Sequence, residues 1–458
     1  MYIVICGAGQ VGRHAAEVLV AANHRVTVID QNAAALRAIQ DTLDAATLLG
    51  SCTDPGTLLE AGAARADLAV AATSIDEVNL LGASLAKGLG AKSVVARVHH
   101  RAFFQSSSFD YALHLGIDRL ICPEFVTAHA IARTLRNPGA IAIESFARGR
   151  IEIQEFPVAP DSPVIGRPLS TLRLPPRTRL VGISRNHFVF LPRADSEIEP
   201  GDVVILLSDK EHFDEALSRF GSKGGPARQR VVIMGGPAMA VWLCRALHSR
   251  RFSVRVFEER PERAEELADK LDWVTVINAD PIDAGVFADE AIGQVDTFIA
   301  LTDDDERNIL GSAWVKTRGV KQTIVVVQRP QYGHLLEHVG IDRAFSPRIT
   351  AVGEILNVLE RKGLRRLTSL AEGVLDVFRG RVEADSPIVD RPLRDVPEFG
   401  TWVVVAVEHG DAVEVPTAET IVRTGDTILA VGPHGTDEQL ADLLATRVVR
   451  SPALVAPA

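Results

Sequence analysis

The chain has 458 residues, 47% hydrophobic and 24% charged, which predicts three or four globular domains and excludes disorder as its main state. A net charge of −10, without blocks of like charge, argues against nucleic acid as a partner. Apolar runs such as residues 401–407 fall far short of the ~20 residues that span a bilayer. The first residues pass directly into a predicted strand, so we expect no signal peptide and a cytoplasmic location. The four cysteines are widely spaced, which indicates neither a zinc site nor disulfides.

The chain begins with a predicted βαβ unit. Residues 2–6 (YIVIC) form an apolar strand, and apolar residues then recur every three or four positions from Val11 to Ala22. This spacing predicts a helix that packs on a sheet and ends at Asn23. A second apolar strand ends at Asp30. Further strands rich in Val, Ile and Ala alternate with helical stretches, so we predict a doubly wound parallel sheet with helices on both faces.

The turn after the first strand carries the pattern G-x-G-x-x-G. Gly7 would make the tight turn, Gly9 would let the backbone approach a pyrophosphate, and Gly12 would bring helix and strand close together. The helix N-terminus offers unpaired N–H groups to a diphosphate. Asp30, 18 residues after Gly12, is placed to accept hydrogen bonds from an adenosine ribose. Its carboxylate would repel a 2′-phosphate, so the motif predicts NAD(H) rather than NADP(H).

Residues 73–77 (TSIDE) follow a buried strand and begin a helix, at the crevice where open α/β sheets bind ligands. Their counterpart, residues 302–306 (TDDDE), carries four carboxylates. Because the helix dipole alone favours acidic residues there, we predict no metal site. We interpret His99 and His100 as the surface end of a strand, since no nucleophile motif accompanies them.

The chain consists of two tandem copies of one two-part unit. The βαβ unit that begins at Ile3 reappears from Val231, and a β-rich part that begins at Asp161 reappears from Asp385. Each β-rich part has short alternating strands and a Gly-Asp turn before its last strand. We predict four domains. They are a Rossmann-like domain at 1–139, a small α+β domain at 140–224, a second Rossmann-like domain at 225–366 and a second α+β domain at 367–458.

The second copy departs from the glycine pattern. Pro237 replaces the second glycine and has no N–H, while Ala240 replaces the third. Gly235 and Glu258 keep the positions of the first glycine and the acidic residue. A nucleotide site and a purely structural copy are both open interpretations here.

The chemistry of an oxidoreductase requires a general acid or base beside the nicotinamide. Neither β-rich part presents a His, Lys or Tyr in a recognisable setting. A nucleotide-sensing switch is therefore favoured over an NAD-dependent oxidoreductase. Differential affinity of a ligand for two domain orientations would be enough to drive such a switch.

The repeated unit resembles the RCK (or KTN) family, in which a TrkA-N domain precedes a TrkA-C domain. The resemblance rests on GAGQVG from Gly7, on Asp30, on ATS from Ala72 and on ARV from Ala96. It continues with D-S-P-x-x-x-R-P-L and the late Gly-Asp of the β-rich part. Two units in one chain are similar to the TrkA family, and the match covers residues 1 to about 445.

This resemblance implies a non-enzymatic regulatory subunit that binds NAD(H) or ATP/ADP. It implies self-association into a ring, as a dimer or tetramer, beneath a TrkH- or TrkG-like membrane potassium translocator. The protein would be peripheral on the inner face of the cell membrane and would contact the membrane only through that partner. A regulator of another cation transporter, such as a glutathione-gated efflux system, is the alternative, but it would leave the second unit unexplained.

The residues expected to bind the nucleotide belong mostly to the first copy, because Val326 replaces Arg97 in the second. They are Gly7, Ala8, Gly9, Gln10, Val11, Gly12, Asp30, Ser51, Thr73, Ser74 and Arg97, with Gly235 and Glu258 in the second copy.

Overall fold

The structure is a computed structural model that describes residues 1–104, 109–136, 142–146, 151–185, 188–209, 212–220, 228–329, 332, 336–359, 363–370, 374–396, 401–410 and 412–445. The described residues form two compact units. One unit holds those of 1–132 and 228–359, and the other holds those of 133–227 and 360–451. The Rossmann-like parts therefore share one unit, and the β-rich parts share the other.

The first sheet is parallel and has the order β3-β2-β1-β4-β5-β6. Its strands are β1 (Tyr2–Cys6), β2 (Arg25–Asp30), β3 (Ala46–Leu49), β4 (Leu68–Ala71), β5 (Val94–Arg97) and β6 (Arg119–Ile121). The helices around it are α1 (Gln10–Ala21), α2 (Ala33–Gln40), α3 (Pro55–Glu60), α4 (Asp76–Leu89), α5 (Arg101–Phe104), α6 (Tyr111–His114) and α7 (Pro123–Arg136). The order reverses between β1 and β4, which is where such sheets bind ligands.

The second sheet is antiparallel, with the order β10-β9-β11-β8-β7. Its strands are β7 (Ala142–Phe146), β8 (Ile151–Pro157), β9 (Thr178–Arg185), β10 (Phe188–Phe190) and β11 (Val203–Asp209), and helix α8 (Phe213–Arg219) follows them. Gly201 precedes β11 with a φ of +90°. Asp202, fully buried, accepts two bonds of 2.8 Å from Arg185. The predicted Gly-Asp turn before the last strand is confirmed.

The third sheet repeats the first, with the parallel order β14-β13-β12-β15-β16-β17. Its strands are β12 (Gln229–Met234), β13 (Phe252–Phe257), β14 (Thr275–Ile277), β15 (Thr297–Ala300), β16 (Gln322–Val326) and β17 (Arg343–Phe345). Its helices are α9 (Ala238–Leu247), α10 (Pro261–Lys270), α11 (Ala284–Asp289), α12 (Asp305–Lys316) and α13 (Pro347–Leu359). The two doubly wound parallel sheets confirm the predicted fold class.

The fourth sheet repeats the second, with the antiparallel order β18-β19-β22-β20-β21. Its strands are β18 (Leu364–Leu370), β19 (Leu375–Arg381), β20 (Val403–His409), β21 (Ala412–Glu414) and β22 (Thr427–Pro433), followed by α14 (Asp437–Leu443). The two antiparallel sheets share a core that includes Ile205, Val377 and Leu429. No described helix is long and apolar enough to cross a membrane.

The predicted boundaries at 139/140 and 224/225 remain a proposal. The boundary at 366/367 falls inside strand β18, which pairs with β19 along its length. We therefore propose that the second β-rich part begins after α13, which ends at Leu359.

The first unit depends on the packing of helix α13, from the second copy, against helix α1, from the first. Val352 and Ile355 of α13 share a buried core with Val11 and Leu19 of α1. Arg119 forms an ion pair with Glu354, and the Thr127 hydroxyl lies 3.2 Å from that of Thr350. The two Rossmann copies are thus joined through an apolar core that ends near the glycine turn.

We expect Ile355→Ala to lower the Tm of the first unit, because truncating a buried isoleucine costs about 2 to 5 kcal/mol. Ile355 is 2% exposed, whereas Leu310 on α12 is 69% exposed and supplies a matched control as Leu310→Ala. Differential scanning calorimetry of the full chain checks this. Equal transitions in both variants would show that the α1–α13 contact does not stabilise the unit.

Candidate functional site

Two glycines of the turn after β1 are required by the fold itself. Gly7 has a φ of +107°, and a Cβ there would lie 2.9 Å from the Ala72 carbonyl oxygen. A Cβ on Gly12 would lie 1.9 Å from the Gly7 carbonyl oxygen. Both positions therefore keep the start of α1 close to the ends of β1 and β4.

Gly9 is different, because nothing in the described protein requires a glycine there. Its φ is −70°, which any residue adopts, and no atom lies within 4 Å of an added Cβ. The residue is exposed and is the N-cap of α1. The space above Gly9 is consequently open for a group that approaches the backbone.

The Asp30 carboxylate, at the end of β2, is hydrogen-bonded to the turn after β1. One oxygen accepts a bond of 2.6 Å from the Ala8 N–H, and the other accepts one of 2.8 Å from the Asn32 N–H. A carboxylate has about four lone-pair sites, so further bonds from a ribose are compatible with these two. Ser51 lies just beyond β3, where its hydroxyl is 2.8 Å from that of Thr53.

The turn after β4 is held by a buried asparagine. The Asn79 side chain accepts a bond of 2.8 Å from the Thr73 N–H and donates bonds to the carbonyl oxygens of Thr73 and Arg97. Asn308 makes the same three bonds in the second copy. Neither asparagine is among the residues predicted from the sequence, although the two stand at the same place in the two repeats.

Asp76, at the start of α4, binds the chain that follows β5. Its carboxylate is 8% exposed and accepts bonds of 2.9 and 2.8 Å from the N–H groups of His99 and His100. The His99 Nδ1 lies 2.8 Å from it. Burial acts to raise the pKa of Asp76, but these three bonds outweigh it and lower the pKa below its usual value.

Arg97, at the end of β5, pairs with a carboxylate of the same copy. Its guanidinium lies 2.9 Å from Glu124, at the start of α7. Burial and the nearby Glu124 charge raise the pKa of the Cys122 thiol to about 12. That thiol is therefore not a nucleophile at neutral pH.

A cavity of about 700 Å³ opens beside this turn, and residues of both Rossmann copies line it. Those of the first copy are Gly9, Gln10, Val11, Ala72, Thr73, Ser74 and Arg97, and those of the second are residues 303–306, Gln328, Arg329, Pro347 and Arg348. Six of the predicted site residues thus meet there. Asp30 and Ala8 are hydrogen-bonded to each other but do not line the cavity. Gly7 and Gly12 support the turn, and Ser51, Gly235 and Glu258 do not line the cavity.

The glycine turn of the second copy is filled by its own side chains. Glu258 is 5% exposed and accepts bonds from the Gly236 N–H at 2.8 Å and from Arg260 at 3.0 Å. Burial acts to raise the pKa of Glu258, but these bonds lower it overall. Arg263 donates a bond of 2.6 Å to the Gly236 carbonyl oxygen. Pro237 takes the place that Gly9 has in the first copy.

The acidic residues at the start of α12 mostly bind nearby groups of the chain. Asp305 accepts bonds from the N–H groups of Gln328 and Arg329, and Asp304 caps the helix through the Arg307 N–H. Glu306 pairs with Arg329. Among the described residues, no cluster of His, Cys, Asp or Glu has an arrangement that fits a metal ion.

Comparison with known protein families identifies both parts of the repeated unit. The TrkA-N domain matches residues 3–123 and 231–347, and the TrkA-C domain matches residues 153–221 and 377–445. The chain belongs to the TrkA family.

A relative named Trk system potassium uptake protein TrkA homolog, from Archaeoglobus fulgidus, is 31% identical over 97% of this chain and 100% of its own length. Among solved structures, "GsuK channel bound to NAD" has a TM-score of 0.60 at 16% identity, over 97% of this chain and 79% of its own. "Crystal structure of the GsuK bound to ADP" has a TM-score of 0.50 at 13% identity, over 78% and 69%. At these identities the two structures support the fold alone.

In this TrkA family member, the sequence pointed to residues 302–306 but gave no reason to place Gln328, Arg329 or Arg348 in the cavity. Arg348 and Gln328 lie more than 200 residues from Gly9, and only the packing of α13 on α1 brings them together. The one available signal is the repeat itself, since Arg348 follows Pro347 as Glu124 follows Pro123.

We expect Asp76→Asn to lower the Tm by roughly 2 to 8 °C at pH 7, because it removes a buried ionised acceptor. The folded-state pKa of Asp76 lies below the unfolded value of about 3.9. The stabilisation that the ionised Asp76 gives to the fold is therefore complete above the unfolded-state pKa and is lost as the pH falls through the folded-state pKa.

The difference in Tm between Asp76→Asn and the parent chain should consequently narrow between pH 7 and pH 3.5. The exposed Asp303 supplies the control Asp303→Asn, which should leave the Tm unchanged at both values. A difference that does not change with pH would contradict an ionised Asp76 in the native state.

Proposed function

We propose that this protein is a nucleotide-sensing regulatory subunit of a Trk-type potassium uptake system and catalyses no reaction of its own. It binds NAD(H) or an adenine nucleotide such as ATP or ADP at the first Rossmann copy. Binding alters ion flow through a membrane partner that resembles TrkH or TrkG. Membership of the TrkA family and the cavity beside the glycine turn support this proposal.

The observation that carries the proposal is the open space above Gly9. Gly7 and Gly12 are explained by contacts within the chain, whereas Gly9 meets no atom within 4 Å of an added Cβ. A glycine without an internal reason points to the close approach of something outside the chain. At the N-terminus of α1, that position suits a diphosphate, because unpaired N–H groups and the helix dipole attract anions.

Asp30 supports the choice among nucleotides. The adenosine diphosphate part is shared by NAD(H), ADP and ATP, and in this proposal the carboxylate at the end of β2 accepts hydrogen bonds from the ribose hydroxyls. A 2′-phosphate would meet this negative charge, which disfavours NADP(H). Of two structures with the same fold, one is a channel bound to NAD and the other is bound to ADP.

The residues that line the cavity support a nucleotide-driven switch between two arrangements of the Rossmann copies. Because both Rossmann copies line it, a bound nucleotide contacts both and prefers one spacing between them. A ligand that binds one arrangement about 10⁴-fold more tightly would convert a 1:99 population into 99:1. We further propose that the protein self-associates into a ring. It attaches to the inner face of the membrane through the partner.

We expect Asp30→Ala to weaken the binding of NAD(H), ADP and ATP roughly 10- to 150-fold, since a charge-assisted bond contributes about 1.5 to 3 kcal/mol. Calorimetry on the purified chain measures this. Asp41→Ala, which removes an exposed carboxylate after α2, is the matched control and should bind normally. Unchanged affinity in Asp30→Ala would reject the ribose placement, and an absence of binding by the parent chain would reject the proposed function.

We expect Gly9→Val to abolish nucleotide-dependent control of potassium uptake while leaving the Tm unchanged, because the new side chain enters space that only a ligand uses. Pro237→Val should leave most of the control intact, since Glu258 and Arg263 already fill that turn. The assay is potassium uptake in a strain that lacks its own regulator, with matched protein levels. Greater damage from Pro237→Val would place the controlling ligand in the second copy.

A further inference from the structure

Arg348 is a buried cation without a partner. The residue is 8% exposed, and its Nε atom is buried with no hydrogen-bond partner. Within the part of the chain that the structure describes, no carboxylate forms an ion pair with its guanidinium. Enclosing an unpaired charge is costly, and an arginine does not escape that cost by losing its proton. Its position therefore calls for an anion from outside the described chain.

The corresponding position in the first copy holds a charged residue that has an ion-pair partner. Glu124 follows Pro123 at the start of α7, as Arg348 follows Pro347 at the start of α13. Glu124 lies 2.9 Å from Arg97. The second copy reverses the charge of this position and provides Val326 where the first provides Arg97, so the internal pair is lost.

The surroundings of Arg348 identify the kind of ligand. It lines the same cavity as Gly9 and Gln10, at the N-terminus of α1, and it stands itself in the first turn of α13. The N-termini of α1 and α13 thus both face the cavity, and each favours negative charge. The guanidinium adds a rigid donor fork that matches phosphate oxygens.

The nearby carboxylates do not neutralise Arg348 directly. Asp305 accepts bonds from two backbone N–H groups, and Glu17 lies 3.2 Å from both Arg13 and His14. Burial lowers the pKa of Arg348, while the charges of Asp305 and Glu17 act to raise it. The other two arginines of the cavity, Arg97 and Arg329, already pair with glutamates.

We propose that Arg348 of the second copy binds a phosphate group of the nucleotide held at the glycine turn of the first copy. This inference rests on the proposed function, since it presumes a nucleotide at Gly9. The site is then complete only when both Rossmann copies contribute. The first copy binds the ribose, and the second binds the negative charge of the phosphates.

The test is a ligand series on the full-length chain, with adenosine, AMP, ADP, ATP and NAD as probes and displacement calorimetry for the weak binders. Arg348→Met keeps the length of the side chain and removes its charge. We expect it to bind adenosine as the parent does and to bind at least one phosphate-bearing probe about 10- to 100-fold more weakly. Arg348→Lys should recover part of the loss. Arg318→Met, which removes a cation stacked on Trp314 outside the cavity, is the control and should bind every probe normally.

The Tm without ligand separates this role from a structural one. Removing an unpaired buried charge should leave the Tm of Arg348→Met equal to or above that of the parent chain. Equal affinity of parent and Arg348→Met for every phosphate-bearing probe would overturn the inference and leave the proposed function standing. An equal loss for adenosine and for the phosphate-bearing probes would also overturn it. If the parent chain binds none of the probes, both proposals fail.

Discussion

The contact between helices α1 and α13 determines what the candidate site contains. Each Rossmann copy alone has a sheet, a glycine turn and a crevice at the reversal of strand order. Val352 and Ile355 join the core around Val11 and Leu19, and this apolar packing holds the first turn of α13 beside the first turn of α1. A cavity that would otherwise belong to one copy thereby acquires second-copy residues such as Arg348. Hydrophobic burial along these two helices thus determines which polar groups lie near their N-termini.

The two glycine turns show how duplication allowed the copies to diverge. In the first, Asp30 binds the Ala8 N–H from a short side chain. In the second, the longer Glu258 reaches the Gly236 N–H, and a Cβ on Gly236 would lie 2.9 Å from its carboxylate. The first copy thus combines alanine with the shorter aspartate, and the second combines glycine with the longer glutamate. Each combination leaves room for the bond from the turn N–H to the carboxylate. Each keeps the strand-to-helix connection, while in the second copy Arg260 donates a bond to Glu258 and Arg263 donates one to the Gly236 carbonyl oxygen.

Much of the fold could be predicted from the sequence because its signals are local. The strand at residues 2–6, the end of the first helix just before Asn23, whose φ is 60°, and the Gly-Asp turns all follow from neighbouring residues. The repeat then extends these features to the second copy. The predicted boundary at 366/367 falls inside β18, because residues 364–366 belong to a strand whose partner follows it in the chain.

The site could be predicted only in its first-copy half. Gly9 and Thr73 lie in motifs with a mechanical meaning, and the structure brings them to one cavity. Arg348 belongs to no motif, and the role proposed for it rests on its burial and on its unpartnered Nε atom, which are properties of three-dimensional packing. Asn79 was missed for another reason. Its three bonds are local, but a single asparagine early in a helix does not distinguish itself in sequence.

The order of segments along the chain has a consequence for synthesis. The first unit is assembled from residues 1–132 and 228–359, with part of the other unit encoded between them. Helix α1 emerges early, but the apolar side chains of α13 that cover its core are complete only at Leu359. The 227 residues between 132 and 359 (359 − 132) occupy a ribosome for roughly 11 to 45 s at about 5 to 20 residues per second. Throughout that interval the nascent first copy presents an uncovered hydrophobic face, the kind of surface that chaperones recognise.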